Sequence, residues 1–406
     1  MSEFYDALET RSADARAAAT ARDLPALIAH AKTAAIGYAS ALADVDPAAI
    51  TGAAALATLP VLRKSEIGAA QKSIPPLGGY FAGDAPHHLF QSPGPIYEPG
   101  MRGSDFWRLG RFLHAAGLRR GDVVQNCFSY HFTPAGMMFD NAAAAIGATV
   151  FPAGVGQTEL QAAALAHIGA TAYAGTPDFL KVILEKADEL GVDTSALKHA
   201  VVGGGPLFPQ LRDFYTDRGI SCLQCYATAD LGNIAYESAA MEGMIVDEGV
   251  IVEIVTPGTG TPVAPGELGE VLVTTFNNDY PLIRFATGDI SAVLPGESPC
   301  GRTNARIVGW RGRADQATKV KGMFVRPEQV AQIVARHDTV SKARVTVTAE
   351  DGIDAIHVAL EATGGDAAAF AADIREILKL RAAVDIVAPG SLPNDGKVID
   401  DQRDFS

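Results

Sequence analysis

Two charged turns, set within the stretch Tyr280–Gly322 and separated by a Pro/Gly/Cys loop, divide this chain more sharply than any other feature. The first runs from Arg284 to Asp289 and the second from Arg311 to Lys321. Before them, strand and helix patterns alternate. After them, short strands and two helices read as a compact α+β unit. The predicted class is α/β: a large multi-layer N-terminal body with a β subdomain, then a small α+β C-terminal domain. Residues 1–312 and 313–406 are the expected domains. In the first turn, Thr287-Gly288-Asp289 can offer a carboxylate to two vicinal hydroxyls such as those of a ribose. A charged acceptor makes the stronger hydrogen bond. The plain alternative is a strand–loop–strand with an Asp turn.

The length of 406 residues is ample for a large buried core. At 48% hydrophobic and 20% charged, the composition is that of a globular protein. A formal net charge of −14 argues against nucleic acid or an anionic membrane as a general partner, because phosphate binding wants a basic surface. A local cationic pocket for a nucleotide is still compatible. Four cysteines, Cys127, Cys222, Cys225 and Cys300, make no disulfide framework in a chain this long. Cys222 and Cys225 have C-x-x-C spacing, but no second ligand pair accompanies them, so structural thiols are expected. The N-terminus is acidic and lacks an apolar run, so no secretory signal is expected. No run of about 18 apolar residues predicts a membrane span, and the cytoplasm is the default.

Residues 1–48 are Ala-rich and periodic, and read as helices. Asp105–Gly117 reads as an amphipathic helix presenting Phe106, Leu109, Phe112 and Leu113. A βαβ rhythm follows: strand 122–127, helix 136–147, strand 148–152, a helix from 159 capped by Thr158, strand 171–174 and helix 176–190. Tyr130, His131 and Phe132 lie after the first of these strands, either as packed aromatics or as the lining of a substrate pocket. Val201-Val202 leads into Gly203-Gly204-Gly205-Pro206, where backbone can approach a flat ligand. Strands 250–255, 266–275 and 281–285 predict an antiparallel subdomain. Beyond Arg313 come strand 317–320, helix 327–336, strands 342–349 and 354–361, helix 366–380 and strand 383–387.

The segments Tyr280–Asp289 and Cys300–Val330 together resemble the adenylate-forming superfamily, and within it the phenylacetate-CoA ligases and their relatives. The resemblance runs from about Leu59 to Asp401. It implies that Asp289 holds the ribose of ATP or AMP, with Arg302 and Arg313 as cationic candidates beside a hinge at Arg313-Ala314-Asp315. Gly203, Gly204, Gly205 and Pro206 stand where the family packs against adenine, although Gly205 replaces its usual Glu. Tyr226-Ala227-Thr228-Ala229-Asp230 matches the family's Tyr-Gly-Leu-Ser-Glu in length, which puts Tyr226 against adenine and Asp230 on Mg²⁺. Hard cations take oxygen ligands. Lys397, after Gly396, is the implied catalytic lysine, facing charge that builds on the phosphate side.

Two departures stand out. The hairpin region around Ser92 and Gly94 occupies the place of the family's phosphate loop, but the Thr pair and Lys are missing, and Pro93 and Pro95 lack N–H donors. It either binds triphosphate by other means or is a rigid turn. The Cys-rich zinc site of some relatives is depleted, reading Ser298-Pro299-Cys300 and Glu237-Ser238 here.

The resemblance implies an ATP-dependent acid–CoA ligase with a mobile C-terminal domain, using ATP/AMP, Mg²⁺ and coenzyme A on a small aromatic or related carboxylic acid. A deazaflavin-adenylating enzyme and a nucleotide-binding homologue without turnover are the alternatives. A homodimer is left open.

Overall fold

The computed structural model describes residues 3–92, 95–102, 105–256, 260–314, 318–321, 323–350, 353–393 and 398–403. The chain divides into two compact units, Met1–Thr287 with Ser291–Gly309, and Gly288–Ile290 with Trp310–Ser406.

In the first unit, a nine-stranded sheet forms from short apolar runs. Strands Thr149–Phe151, Val123–Asn126, Ala172–Gly175, His199–Val202 and Ser221–Thr228 lie side by side in parallel. At Ser221–Thr228 the sheet changes sense. Gly232–Tyr236 pairs with it antiparallel, and Met244–Val246, Arg306–Ile307 and Val293–Leu294 continue that pattern. The crossover helices follow their caps. Helix Pro177–Leu190 starts with Pro at its first turn and ends at Gly191, whose φ of 64° suits a left-handed cap. Its Leu180, Ile183, Leu184 and Ala187 repeat at helical spacing and are buried. Helix Ala13–Ala34 buries Leu24, Leu27, Ile28 and Ala31 in the same way. Burying each large aliphatic side chain contributes about 1.5–3 kcal/mol.

The β subdomain departs from a purely antiparallel reading. Val250–Val255 and Gly269–Thr275 are antiparallel, but Leu62–Arg63 joins Phe285-Ala286 in parallel. The strand expected over 281–285 begins only at Phe285 and runs to Ser291. Arg284 explains the shift. Its backbone is left-handed at φ 46°, and its guanidinium is 2% exposed. That group donates to Glu253 Oε2 at 3.0 Å and to the carbonyls of Ala57, Leu59 and Gly260 at 3.0, 2.5 and 2.7 Å. A buried charge is tolerable when paired and hydrogen-bonded in this way.

The expected helix over 105–117 shrinks to Gly110–Ala115. Asp105 and Arg108 are left-handed, at φ 53° and 62°, and Asp105 accepts from the N–H groups of Leu109 and Gly110 at 2.9 and 2.7 Å. Its carboxylate caps the shorter helix instead of entering it. Likewise Thr158 is the first residue of helix Thr158–His167, and Gln157 takes the cap position with φ 51°.

The second unit has its own sheet, in the order Ala383–Val387, Ile353–Ala362, Val340–Glu350 and Ile399–Asp401. Helices Pro327–Ala335 and Ala367–Leu378 supply Val330, Ile333, Phe370, Ile374 and Leu378 to a separate core. The strands Met323–Val325 and Ile399–Asp401 were not expected from sequence. No helix among the described residues is long and apolar enough to cross a membrane.

Candidate active site

In the first unit, the C-terminal ends of two adjacent parallel strands bring the glycine run and the tyrosine segment together. Val202 pairs with Gln224 in register. Gly203 continues from one strand, and Tyr226, Ala227 and Thr228 finish the other. A Cβ on Gly203 would stand 3.0 Å from Cys225 Sγ, so the two segments touch closely. Gln224 Nε2 donates to the Gly205 carbonyl at 2.8 Å and fixes the loop over the strand end. Gly204 and Pro206 are exposed, and Gly204 is left-handed at φ 70°. Ligands of open α/β sheets gather at such strand ends, where the sheet changes direction. Tyr226 lies within the apolar core, 8% exposed. A register shift between Tyr226 and Ala227 bends the strand at this point. Thr228 Oγ1 accepts from the Leu231 N–H at 3.1 Å.

Asp230 follows in the turn and is 8% exposed. Its Oδ2 pairs with Lys64 Nζ at 3.0 Å, while Oδ1 has no hydrogen-bond partner. An orphaned, buried carboxylate oxygen fits a hard cation such as Mg²⁺. Lys64 is a residue of this site that the sequence reading missed. It is the first residue of helix Lys64–Ser73, where a cation opposes the helix dipole. That misplacement is the signal in the sequence that could have marked it.

The hairpin His88–Ser92/Ile96–Gly100 supplies the second missed residue. Glu98 is fully buried. It accepts from the Ser92 hydroxyl at one oxygen and from the Ser92 N–H at the other, the latter at 3.2 Å. Burial, and then the neighbouring Asp230 charge, push its carboxyl up to about 8. Burial therefore disfavours the charged form of Glu98 beside the Asp230–Lys64 ion pair. Alternation along the hairpin puts Ile96 and Glu98 on one buried face, and this pattern was the legible trace. Tyr280, 2% exposed, has a hydroxyl without a hydrogen-bond partner, and burial first, then the nearby Asp230 and Glu98, push its phenol well above the usual value.

The hairpin also meets the aromatic loop, through Gln91 N donating to the Phe132 carbonyl at 2.8 Å. Tyr130 is half-buried; its hydroxyl accepts from Asn126 Nδ2 at 2.8 Å and donates to Asp140 Oδ2 at 3.1 Å. His131 is exposed. Phe132 is 75% exposed, an uncommon state for an aromatic of this size.

Arg302 turns elsewhere. It donates to Glu9 Oε1 at 2.6 Å, and Glu9 is 1% exposed. Cys300 sits close by, bonded to Ser298 Oγ at 3.1 Å. Burial alone would raise its thiol, but hydrogen bonds from Ser238, Ser298 and Arg302 outweigh burial and bring it below the usual value.

In the second unit, Asp289 and Arg313 form a backbone bridge and a side-chain contact. Asp289 lies within strand Phe285–Ser291, not in a free turn, with Gly288 at φ 73° supplying the bend. Lys397 and Gly94 lie outside the described residues.

The AMP-binding enzyme family matches residues 105–278. Over 266 residues the chain is 31% identical to the phenylacetate-coenzyme A ligase of Escherichia coli, covering 62% of this chain and 60% of that protein. It is 27% identical over 262 residues to the phenylacetate-coenzyme A ligase of Thermus thermophilus, covering 62% of this chain and 59% of that one. The chain is thus similar to phenylacetate-coenzyme A ligases over about three-fifths of its length. It spans about three-fifths of the length of these curated relatives. The likeness of fold extends further. A crystal structure of 2-hydroxyisobutyryl-CoA ligase in an open conformation, with 2-HIB-AMP and CoA, superposes with a TM-score of 0.81 at 21% identity, over 98% of this chain and 94% of that one. The same enzyme in its postadenylation state with R3-HIB-AMP gives 0.80 over 98% and 92%.

Proposed function

We propose that this chain is an ATP-dependent, AMP-forming acid–CoA ligase. A substrate carboxylate attacks the α-phosphorus of ATP and pyrophosphate leaves. The CoA thiol then attacks the acyl carbonyl and AMP leaves. Chemistry of this kind is mostly positioning and charge stabilisation. The observation that carries the reading is Asp230, a buried carboxylate with an orphaned oxygen, at the end of the strand that holds Tyr226 beside the Gly203–Pro206 loop. In this reading Tyr226, Ala227, Thr228 and the glycine loop take adenine, Asp289 takes ribose, and Arg313 steadies Asp289. Mg²⁺ at Asp230 would supply positive charge beside the phosphates. Lys397 would stabilise the charge of the adenylation step. Arg302 is assigned to holding the N-terminal segment through Glu9.

Tyr130, His131 and Phe132 are proposed as the acid pocket. The names of its relatives point to phenylacetate, and the fold neighbour's to 2-hydroxyisobutyrate. The exposed Phe132 ring favours an aryl acid, since aromatic pairs add to plain apolar burial. The C-terminal unit, 313–406, is proposed to rotate between the two half-reactions. The protein is proposed to work in the cytoplasm on small molecules, without nucleic acid, as a monomer or homodimer.

ATP–pyrophosphate exchange across a panel of aryl and short hydroxy acids tests this, with mass detection of the CoA thioester. Exchange with an aryl acid is expected. A second reading, nucleotide binding without turnover, draws support from Ser92, whose hydroxyl is already committed to Glu98. Tight AMP binding with no exchange for any acid would favour it.

A further inference from the structure

We propose that the hairpin His88–Ser92/Ile96–Gly100 is a strut for the acid pocket, with Gln91 as the residue that positions Phe132. The inference rests on the assignment of Tyr130, His131 and Phe132 to the acid, and it adds an element that the resemblance assigned to phosphate.

Phe132 has two features that ask for a cause. Its side chain is 75% exposed, and its backbone is left-handed at φ 60°. The Thr133 N–H donates to the His131 carbonyl at 2.7 Å across it, so Phe132 is the central residue of a three-residue turn whose positive φ matches the rare, strained form. A non-glycine residue with positive φ is uncommon, and such strain persists only where neighbouring structure holds it. Here it is held from two sides. Ser129 Oγ donates to the His131 carbonyl at 2.9 Å and accepts from the His131 N–H at 3.1 Å. From outside the loop, the Gln91 N–H donates to the Phe132 carbonyl at 2.8 Å.

The hairpin is built to hold that donor still. Residues facing one another in an antiparallel pair alternate between exchanging backbone hydrogen bonds and turning them outward. Gln91 faces Tyr97, and these two turn theirs outward. Tyr97 donates its N–H to Gln71 Oε1 at 2.9 Å, and its carbonyl accepts from Gln71 Nε2 at 2.7 Å. Gln71 is 7% exposed and belongs to helix Lys64–Ser73. Gln91 gives its N–H to Phe132, while its Nε2 donates to the Tyr97 hydroxyl at 3.0 Å. The hairpin thus bridges a helix and the aromatic loop. Its remaining chemistry does not suit phosphate. Residues 88–100 contain no lysine or arginine, Pro93 and Pro95 have no N–H, and Ser92 bonds to Glu98. An exposed ring held at a fixed angle suits an aryl acid, because the packing of aromatic rings depends on their relative orientation.

The experiment compares Gln91→Pro with Gln91→Ala in ATP–pyrophosphate exchange, with phenylacetate as the acid probe. Proline removes the N–H and is tolerated in a strand where that N–H faces away from its pairing partner, whereas alanine keeps it. Gln91→Pro is expected to raise KM for the acid about fivefold or more over Gln91→Ala, the worth of one ordinary hydrogen bond, with equal AMP affinity. Equal KM in the two folded variants overturns the inference. Phe132→Ala separates it from the pocket assignment. If Phe132→Ala raises KM for the acid while the two Gln91 variants agree, the strut fails and the pocket stands. If Phe132→Ala takes the acid as wild type does, or wild type shows no exchange with it, both fail. Hydrogen–deuterium exchange of the wild-type chain decides the case in which Gln91→Pro does not fold. Phenylacetate with AMP is expected to slow exchange in residues 88–92 together with 129–134, and ATP alone to leave 88–92 as in the free protein. Protection of 88–92 by ATP alone, or protection of 129–134 by the acid without 88–92, overturns the inference.

Discussion

The indole Nε1 of Trp310 donates to Asp289 Oδ1 at 3.0 Å, and Arg313 Nη1 reaches the same oxygen at 3.3 Å. Two donors on one oxygen fix the plane of the carboxylate before any ligand arrives. Asp289→Ala is expected to weaken AMP by about 1.5–3 kcal/mol, the usual range for a charged hydrogen bond. Isothermal titration calorimetry reads this directly. Unchanged AMP affinity in a folded variant would remove Asp289 from the site.

Ser92 makes the opposite case. Its hydroxyl and N–H both serve Glu98, so little is left to offer a phosphate. Ser92→Ala should shift ATP affinity by no more than about threefold, within the worth of one ordinary hydrogen bond. A tenfold loss or more in a competition assay would show that the hairpin still cradles phosphate.

For Lys397 the expectation is kinetic. A charge that acts only on the developing transition state lowers kcat and spares ground-state binding. Lys397→Ala should cut acyl-adenylate formation by about two to three orders of magnitude, with AMP binding intact. Thioester formation from supplied acyl-adenylate should suffer less. Pyrophosphate exchange within about threefold of wild type would contradict the electrostatic role.

Arg302 and Glu9 are 5% and 1% exposed, which makes their pairing a matter of stability. Arg302→Met should cost about 3–5 kcal/mol in urea unfolding, because it leaves a buried carboxylate uncompensated. The double variant with Glu9→Gln should recover much of that loss. If Arg302→Met melts like wild type and loses AMP affinity instead, the arginine belongs to the nucleotide.

The thiols divide by environment. Burial pushes Cys127, Cys222 and Cys225 up to about 12, whereas Cys300 lies below the usual thiol value and is only half-buried. The thiolate is the reactive form. Iodoacetamide at pH 8 should therefore label Cys300 first, as read by peptide mass spectrometry. Equal labelling of Cys222 or Cys225 in the native protein would overturn this ordering.

Much of the architecture was legible because it follows local period. The apolar repeat of Leu180, Ile183, Leu184 and Ala187 marks its helix without reference to anything distant. What stayed hidden depends on long-range partners. The helix expected over 105–117 lost its first turns because Asp105 curls back as a cap, a backbone choice that amphipathicity cannot encode. The buried carboxylates were half visible. Asp230 sat in a motif, while Glu98 sat between prolines, in a segment read only for the donors it lacked. Lys64, the ion-pair partner of Asp230, is more than a hundred residues away in sequence, and only folding brings the two together.

Arg284 has a bearing on how long the native state lasts. Its guanidinium closes on carbonyls 227 and 225 residues back along the chain and on Gly260 and Glu253, 24 and 31 residues away. Contacts of such long range form late, after the loops between them have been closed. Interactions absent from the transition state act on escape from the folded basin more than on entry into it. The buried arginine therefore works as a latch on unfolding. It sets how slowly the N-terminal helices peel from the sheet and leaves the speed of assembly to the local elements.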